Sequence, residues 1–331
     1  MTSEEKNPTM KDVANEAGVA LGTVSKVVRG IPVGEEYRVK VERAIKKLNY
    51  RVNNYARGLR TSRTGMVAVL LPNLARPYFA ALGNALNHSL SQKGLNMMVC
   101  CADGNPDAEQ YALDLVDQNK ADGVIALTYD PDLKIHNPYT FIAIDRVLGQ
   151  GIPTVASDNY GGGQLAVREL IHHGCTSLAY IGSVSSLANE PAKRYSGFEN
   201  ACRFMNIPFD SIVVQDGPDG FYTDFLKQHI HDGKLDFDGI FCCTDLIVRQ
   251  VMDTLKDMHI SVPEDVQMIG FDGVREFGIG NLKCSTIIQP VQAIADTAVA
   301  LLTNAFGEGI TPPLICLPVE FAEGGTTRKL L

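Results

Sequence analysis

The eight cysteines and the adjacent His172 and His173 are the residues of this sequence whose types suit metal binding or thiol chemistry. Zinc sites usually contain Cys-x-x-Cys pairs or histidines one helical turn apart. No Cys-x-x-Cys spacing occurs, and most cysteines fall in apolar runs such as MMVCC (97–101). Neighbouring positions at a helix end do not share one helical face, so His172 and His173 are interpreted as surface histidines. We therefore expect reduced, buried thiols and no bound metal.

Motifs that mark nucleotide-binding or hydrolytic enzymes are also missing from the sequence. There is no G-x-G-x-x-G after the first predicted strand, no G-x-x-x-x-G-K-[ST] and no G-x-S-x-G. These motifs cradle phosphate groups or expose a serine nucleophile. We expect no catalytic residues and no cofactor, which favours a binding protein over an enzyme.

Charge is distributed unevenly along the 331 residues, whose net charge is −8. Residues 1–63 contain 13 Lys and Arg against 7 Asp and Glu, whereas residues 64–331 contain 17 against 31. A basic N-terminal part on an acidic body is typical of a protein in which only the first part meets phosphates. A merely solvated basic face is the alternative at this point.

Three short helices are predicted in the basic part. Thr9 and Asp12 form a capping-box pattern at the start of the first helix, which Gly18 ends. A second helix is predicted over 21–29 and a third from Glu35 to about residue 49. The third helix is expected to bury its apolar residues, which are Val39, Val41, Ala44, Ile45 and Leu48. Helices of these lengths indicate a helix-turn-helix unit, with a generic three-helix bundle as the alternative.

From Gly65 onward, apolar runs rich in β-formers alternate with amphipathic segments. The runs cover 66–71, 97–101, 123–127, 141–145, 178–182, 239–243, 266–271 and 285–289. Continuous apolar strands separated by helices predict parallel sheets covered on both faces. Because one sheet commonly holds five or six strands, we expect two similar α/β lobes, with a ligand in the crevice at the carboxyl ends of the strands.

Hydropathy excludes a membrane protein at this stage, because no run of about 18 apolar residues is present. The N-terminal segment MTSEEKNPTM is polar and lacks the apolar run of a secretory signal. We expect a cytoplasmic protein with no membrane partner.

The motifs T-x-K-D-V-A-x-x-A-G-V, T-V-S-K-V, L-N-Y-R-x-N and A-R-G-L-R-T-x-R-T-G resemble the DNA-binding head of the lac repressor (LacI/GalR) family. The likeness continues through SDNYGGG (157–163), VPEDVQMIGFDG (262–273) and TIIQP (286–290). It implies an all-α helix-turn-helix head followed by a type I periplasmic-binding-protein-like α/β domain of two parallel-sheet lobes.

The resemblance also implies where the parts of the chain begin and end. The head covers 1–50, a hinge helix and linker 51–63, and the effector-binding and dimerisation domain 64–331. Within that domain, the N-lobe takes about 64–161 and 290–320, and the C-lobe about 162–289 and 321–331.

Residues that meet DNA follow from the same resemblance. The family's base-reading positions match Leu21, Gly22 and Lys26, and its phosphate contacts match Thr9, Thr23 and Ser25. Lys26 is a suitable partner for guanine O6 and N7. Arg29 is a further phosphate contact or a solvated charge.

The hinge segment carries Asn53 as a helix cap, Arg57 beside the phosphates, and Leu59. In the family, this leucine is wedged into the minor groove, which kinks the duplex. An ordinary linker leucine is the alternative for Leu59.

Effector-binding positions carry over onto seven residues, which are Tyr78, Phe79, Asp145, Arg194, Thr244, Asp245 and Asp272. These types suit a sugar, because aromatic rings cover its apolar face and charged groups bind its hydroxyls. Arg194 is expected between Asp145 and Asp272, and a purely structural ion pair is the alternative for it.

The function implied is a homodimeric, sequence-specific repressor of a carbohydrate-utilisation operon. It would bind double-stranded operator DNA and be controlled by a sugar or sugar phosphate that alters the order of the hinge helix. The alternative is a global catabolite regulator that uses a phosphoprotein corepressor.

Overall fold

A computed structural model describes most of the chain. The described residues are 8–28, 30–50, 63–118, 120–128, 133–137, 140–148, 151–184, 189–215, 217–275, 280–304 and 314–329. They divide into two compact units at Thr64 and Gly65. None of the described helices is long and apolar enough to cross a bilayer.

The first unit contains three helices, which are α1 (Met10–Ala17), α2 (Leu21–Val28) and α3 (Glu35–Lys47). Thr9 caps α1 as expected: its hydroxyl accepts the Asp12 amide, and the Asp12 carboxylate accepts the Thr9 amide at 2.7 Å. Gly18 ends the helix in a left-handed conformation, with φ of +63°. The capping box and the glycine stop are therefore confirmed.

The core of this unit is formed by buried residues from all three helices and the turn after α3, which are Val13, Ala14, Val24, Val41, Ala44 and Tyr50. One prediction for α3 is wrong, because Val39 is 40% exposed. Val39 precedes the buried Val41 by two residues, and a two-residue step turns about 200° around a helix. It consequently lies on the opposite side from the core.

The second unit contains two six-stranded sheets. The strands of the first sheet are β1 (Met66–Leu71), β2 (Asn96–Cys101), β3 (Gly123–Ala126), β4 (Phe141–Ile144), β5 (Thr154–Ser157) and β13 (Leu314–Leu317). Their order is β13-β5-β4-β3-β1-β2, and every neighbouring pair is parallel. The helices against this sheet are α4 (Pro77–Gln92), α5 (Pro106–Asp117) and α10 (Val291–Asn304).

The strands of the second sheet are β6 (Leu178–Val184), β7 (Phe209–Gln215), β10 (Gly239–Cys242), β11 (Gln267–Asp272), β12 (Ser285–Ile288) and β14 (Glu320–Ala322). Their order is β14-β12-β11-β10-β6-β7, and only the β12–β14 pair is antiparallel. Its helices are α6 (Asn159–His172), α7 (Lys193–Met205), α8 (Thr223–Gln228) and α9 (Asp245–Asp257), and a small hairpin joins β8 (Ile230–His231) to β9 (Lys234–Leu235). The expected architecture of two parallel-sheet lobes is therefore confirmed.

Besides the hairpin strands β8 and β9, four strands of the two large sheets were not predicted, namely β5, β7, β13 and β14. Three of them, β7, β13 and β14, lie at sheet edges, where one side of the strand has no neighbour. In β7, half-buried and exposed positions alternate along the strand. The other three strands, β5, β13 and β14, are only three or four residues long. Runs this short do not identify a strand by their pattern, even where every residue is apolar, as in β13 (LICL).

Sheet edges also explain why two thiols differ from expectation. Five cysteines are buried as predicted, but Cys101 and Cys316 are exposed. They lie in β2 and β13, the two edge strands of the first sheet. All eight cysteines are free thiols.

The prediction of surface histidines holds for His172 but is wrong for His173, whose side chain is only 1% exposed. His173 is the residue that ends α6, and its ring turns inward against the Phe321 ring, with the ring centroids 5.8 Å apart. The helix end thus buries one histidine and leaves the other in water.

Candidate functional site

A cavity of about 560 Å³ lies at the carboxyl ends of the strands in the second unit. It is lined by all seven predicted effector residues, Tyr78, Phe79, Asp145, Arg194, Thr244, Asp245 and Asp272. Its size falls in the range of small-molecule sites. The sequence-predicted residues, which span almost 200 positions, are therefore brought together at one place.

Strand order explains why these residues meet. Asp145 follows β4, Thr244 and Asp245 follow β10, and Asp272 ends β11. Tyr78 and Phe79 lie in the first turn of α4, the helix that follows β1. In parallel sheets, the carboxyl ends of all strands lie along one edge, so residues that directly follow them converge.

Arg194 is one of two buried cations that line the cavity; like Arg146, it has 4% of its surface exposed. Its Nε donates to Asn159 Oδ1 at 2.8 Å, and its Nη1 donates to the carbonyl of Cys243 at 2.6 Å. Its guanidinium carbon lies 3.7 Å from the centroid of the Phe271 ring. The hydrogen bonds therefore go to an amide and a carbonyl, not to the carboxylates of Asp145 and Asp272, as the alternative of a structural ion pair would require.

This difference follows from how Arg194 is held. The residue lies in the first turn of α7, which packs on α6, and Asn159 begins α6. The nearest polar groups are consequently those of the helix pair and of the strand end beneath it. Within the described residues, Nη2 makes no hydrogen bond. Arg194 therefore keeps a donor for a ligand in the cavity it lines.

Asp145 offers the complementary acceptor. Its Oδ2 accepts the Tyr78 hydroxyl at 3.3 Å, while its Oδ1 is buried and has no hydrogen-bond partner in the described parts of the chain. Burial raises the pKa of this carboxyl group, and the positive charge of Arg194 partly opposes the shift. An unpartnered buried oxygen is costly, so a donor from a ligand would stabilise it.

Asp245 has a different role, because both of its carboxylate oxygens already accept hydrogen bonds from the chain. Oδ1 accepts the Thr286 hydroxyl at 2.6 Å, and Oδ2 accepts the Gly273 amide at 2.9 Å. Thr244 caps α9 with its hydroxyl. Asp245 therefore connects the end of β11 to β12, while Thr244 fixes the start of α9, and both position the cavity wall.

Asp272 connects the cavity to segments that pass between the sheets. Its Oδ1 accepts the Gln289 side-chain amide at 2.8 Å, and Gln289 Oε1 accepts the Ser157 hydroxyl at 2.8 Å. Ser157 ends β5 and Gln289 follows β12, at two places where the chain leaves one sheet for the other. Asn159 and Gln289 lie in the SDNYGGG and TIIQP motifs, which could have pointed to them, but the resemblance assigned neither residue a role in the site.

We expect Asp272 to make stability depend on pH, because burial raises its pKa to about 7. An unfolded Asp has a pKa of about 3.9. Between these values the folded chain keeps a proton that the unfolded chain loses. The stabilisation of the folded chain by this proton is therefore complete below about pH 4. It is lost as the pH rises from about 4 through about 7, by up to about 1.4 kcal/mol per pH unit.

Thermal unfolding of the ligand-free chain from pH 5 to pH 8 measures this effect. Asp272→Asn keeps an acceptor for Gln289 but has no charge, so its Tm should rise relative to the parent as pH increases. Asp224→Asn is the matched control, because the Asp224 side chain is 90% exposed and is solvated in both states. Parallel Tm profiles for Asp272→Asn and the parent would show that Asp272 is not the titrating group.

Five of the predicted DNA-contact residues lie on α2. Leu21, Gly22 and Lys26 are exposed, and Gly22 and Lys26, four positions apart, share one face of the helix. Thr23 is half-buried, whereas Ser25 is buried with 8% exposure. A Cβ atom added at Gly22 would meet nothing within 4 Å, so packing within the unit does not require glycine there.

The remaining predicted contacts are Thr9, which precedes α1, and four residues that lie outside the described parts of the chain. The Thr9 hydroxyl is engaged in the α1 cap, where it also donates to Asp12 Oδ2 at 2.7 Å. Arg29, Asn53, Arg57 and Leu59 lie outside the described residues. Their assignments to phosphates, cap and minor groove stay predictions.

Each of the two units contains a segment that matches a known protein family. Residues 9–53 match the family described as "Bacterial regulatory proteins, lacI family", and residues 167–327 match the "Periplasmic binding protein-like domain". A ribose operon repressor of Halalkalibacterium halodurans is 31% identical over 306 residues, which cover 89% of each chain. A sucrose operon repressor of Streptococcus mutans is 29% identical over 95% of this chain and 98% of its own.

Among solved structures, the lac repressor dimer bound to operator and the anti-inducer ONPF has a TM-score of 0.80 and 21% identity, covering 97% of this chain and 99% of that one. At that identity, the likeness concerns the fold. Together with the ribose repressor match over 89% of both chains, it supports one conclusion. The chain belongs to the lacI family of bacterial regulatory proteins.

Proposed function

We propose that this chain represses a carbohydrate-utilisation operon and that a small molecule in the cavity controls its binding to operator DNA. The observation that carries the proposal is the convergence of the seven predicted residues on one cavity, in a chain whose first unit is a helix-turn-helix. The ribose and sucrose operon repressors that it resembles support the carbohydrate assignment. A repressor acts at the operator, which places the protein in the cytoplasm.

The cavity lining suits a polyhydroxylated ligand. Tyr78 and Phe79 offer aromatic surface for the apolar face of a sugar ring, while Asp145 Oδ1 accepts and Arg194 Nη2 donates. Charge-assisted hydrogen bonds of this kind orient hydroxyl groups strongly. Four further cations line the cavity, Arg76, Arg146, Arg249 and Lys283, so the ligand class includes sugar phosphates as well as free sugars.

Control of DNA binding would pass through the segments that join the two lobes. The Ser157–Gln289–Asp272 chain of hydrogen bonds connects the cavity to two of these segments. A ligand that favours one lobe arrangement therefore biases these connections. We propose that the bias reaches residues 51–63, which precede the second unit in sequence and carry Asn53, Arg57 and Leu59.

Operator recognition would use the exposed side of α2. Leu21 and Lys26 would face base edges, and Gly22 would allow the helix backbone to approach the groove closely. A homodimer would place two such helices on the half-sites of a pseudo-palindromic operator. The phosphate contacts proposed for Thr9, Thr23, Ser25 and Arg29 would fix the register.

A two-stage experiment tests the function. First, the Tm of the purified chain is measured against a panel of free sugars and sugar phosphates; a ligand at 100 times its Kd stabilises the folded state by about 2.7 kcal/mol. Operator affinity is then measured at fixed salt with and without each ligand found. We expect at least one to change the operator Kd by about fivefold or more.

The alternative function predicts a different outcome of the same experiment. A global catabolite regulator would bind its operator tightly only with a phosphorylated protein partner, and free sugars would leave the operator Kd unchanged. Ligands that raise the Tm without altering operator binding, together with no effect of a phosphoprotein, would contradict both functions.

A further inference from the structure

The end of α6 carries a group of histidines and carboxylates that the cavity does not use. Glu169 and His172 lie in its last turn, His173 follows directly, and one potential metal-binding atom from each lies within 4.8 Å of the others. Glu323 approaches from the chain just after β14. The 14 residues of α6 span about 21 Å, so this group is well separated from Asn159 and the cavity at the other end.

His173 has the protonation pattern of a metal ligand. Its Nδ1 lies 2.7 Å from the carbonyl oxygen of Glu169. A carbonyl only accepts hydrogen bonds, so Nδ1 carries the proton and Nε2 of the neutral ring presents its lone pair. Nε2 is buried and has no hydrogen-bond partner in the parts of the chain described. A backbone carbonyl that fixes the tautomer in this way is the usual second shell of a metal-bound imidazole.

Two distances in the group fit the coordination of zinc better than hydrogen bonding. His173 Nε2 lies 3.5 Å from Glu323 Oε1, and His172 Nδ1 lies 3.7 Å from Glu169 Oε2. Both are long for hydrogen bonds. Zinc bonds nitrogen and oxygen at about 2.0–2.2 Å in a tetrahedron, so neighbouring ligand atoms are about 3.4 Å apart.

We propose that Glu169, His172, His173 and Glu323 bind one Zn²⁺ ion. Two imidazoles and two carboxylates suit this metal, and the two negative charges balance its charge. His172 and Glu323 have side chains 64% and 55% exposed, so they are free to rotate toward the buried Nε2. The ion would fasten the end of α6 to the segment after β14.

That segment holds the second sheet together, which gives the ion a structural consequence. Thr326, three residues beyond Glu323, donates its hydroxyl to the carbonyl of Met268 at 2.7 Å and accepts the Ser285 amide at 2.8 Å. It thereby connects β11 to β12. A metal that binds only the folded chain raises the melting temperature, so zinc should stabilise this lobe.

An ion pair between protonated His173 and Glu323 is the competing explanation for the 3.5 Å distance. It uses neither His172 nor the Glu169 carboxylate. Substituting His172 therefore separates the two explanations, and because this side chain is mostly in water the substitution leaves the fold intact.

Calorimetric titration of the full chain with ZnCl₂, under reducing conditions, tests the site, with MgCl₂ as the hard-cation comparison. We expect one zinc ion per chain, a higher Tm with zinc, and no magnesium binding here. Loss of even a second-shell partner weakens metal binding about 10–100-fold, so removal of a direct ligand in His172→Gln or Glu323→Gln should raise the zinc Kd by about tenfold or more. His173→Gln should do the same.

His231→Gln is the matched control, since His231 belongs to another histidine–carboxylate group, in which its Nε2 lies 3.3 Å from Asp236 Oδ2. It should leave the zinc Kd and the zinc-dependent Tm unchanged. Zinc affinity that is the same in His172→Gln and Glu323→Gln as in the parent would overturn the proposal, as would loss of binding in His231→Gln alone. The visible spectrum of bound Co²⁺, which differs between tetrahedral and octahedral sites, provides a second readout.

Discussion

Arg194→Ala abolishes the response to the effector while the chain still binds its operator: this is the first expected result. The substitution removes the donors to Asn159 Oδ1 and to the Cys243 carbonyl, and the cation over the Phe271 ring. It also removes the charge that opposes the raised pKa values of Asp145 and Asp272. A hydrogen bond from a charged group contributes about 2 kcal/mol, so the effector Kd should rise about 30-fold or more.

Dose curves of operator release, measured at fixed salt with an effector identified by thermal shift, check this result. Operator affinity without effector should stay within about threefold of the parent, because the helix-turn-helix is a separate unit. Arg203→Ala is the matched control, since Arg203 is exposed on the same helix, contacts Glu199 and the Phe209 ring, and does not line the cavity. An unchanged dose curve for Arg194→Ala would remove Arg194 from the site.

Gly163→Ala should both destabilise the second unit and weaken effector binding. A Cβ atom at this position would lie 2.2 Å from the backbone carbonyl oxygen of Arg194 and 2.9 Å from the Phe198 amide nitrogen. The reverse contact is equally tight, because a Cβ at Gly197 would lie 2.1 Å from the carbonyl of Tyr160. The helices α6 and α7 therefore cross backbone to backbone, which only glycine permits.

Relief of this clash requires α7 to move, and Arg194 moves with it. Overpacking of this kind costs about 1–3 kcal/mol. In a unit of this size, that corresponds to a Tm lowered by roughly 2–12 °C. The effector Kd should rise in the same variant, because the residue that clashes is the one that lines the cavity.

Gly83→Ala is the matched control for this prediction. Gly83 is also inside a helix, α4, but its nearest neighbour would be a flexible atom, Leu71 Cδ1, at 3.4 Å. Alanine is favoured over glycine in helices by up to about 1 kcal/mol, so the Tm should stay or rise. A Gly163→Ala chain as stable as the parent, with the parent's effector Kd, would contradict the close crossing of α6 and α7.

The sequence predicted much of the architecture because each pattern it contains is local. Apolar runs marked eight strands, and Thr9 with Asp12 marked the start of α1, since burial on one face and capping both depend on near neighbours. The strands β7, β13 and β14 were not predicted, because β7 mixes half-buried and exposed positions and the other two have only four and three residues. The exposure of Cys101 and Cys316 was not predicted either, because their strands lie at sheet edges and that position depends on strand order.

For the cavity, the family resemblance identified the seven residues, and the structure showed which hydrogen bonds each of them makes. Asp145 keeps a buried oxygen without a hydrogen-bond partner in the described chain, whereas both oxygens of Asp245 are occupied. Residue type does not distinguish these two aspartates. The difference depends on which neighbouring strand offers a donor, and that depends on the order of strands in the sheet.

By itself, the sequence determined the basic helix-turn-helix head, the two α/β lobes and the identity of the residues at the strand ends. Only the tertiary structure decided that Arg194 binds Asn159 and Cys243, that Gly163 must be glycine, and that His173 is buried while His172 is not. The physical reason is common to all three. Helical and strand periodicity specify which face of an element is apolar, but contacts between elements depend on how closely and at what angle the elements cross.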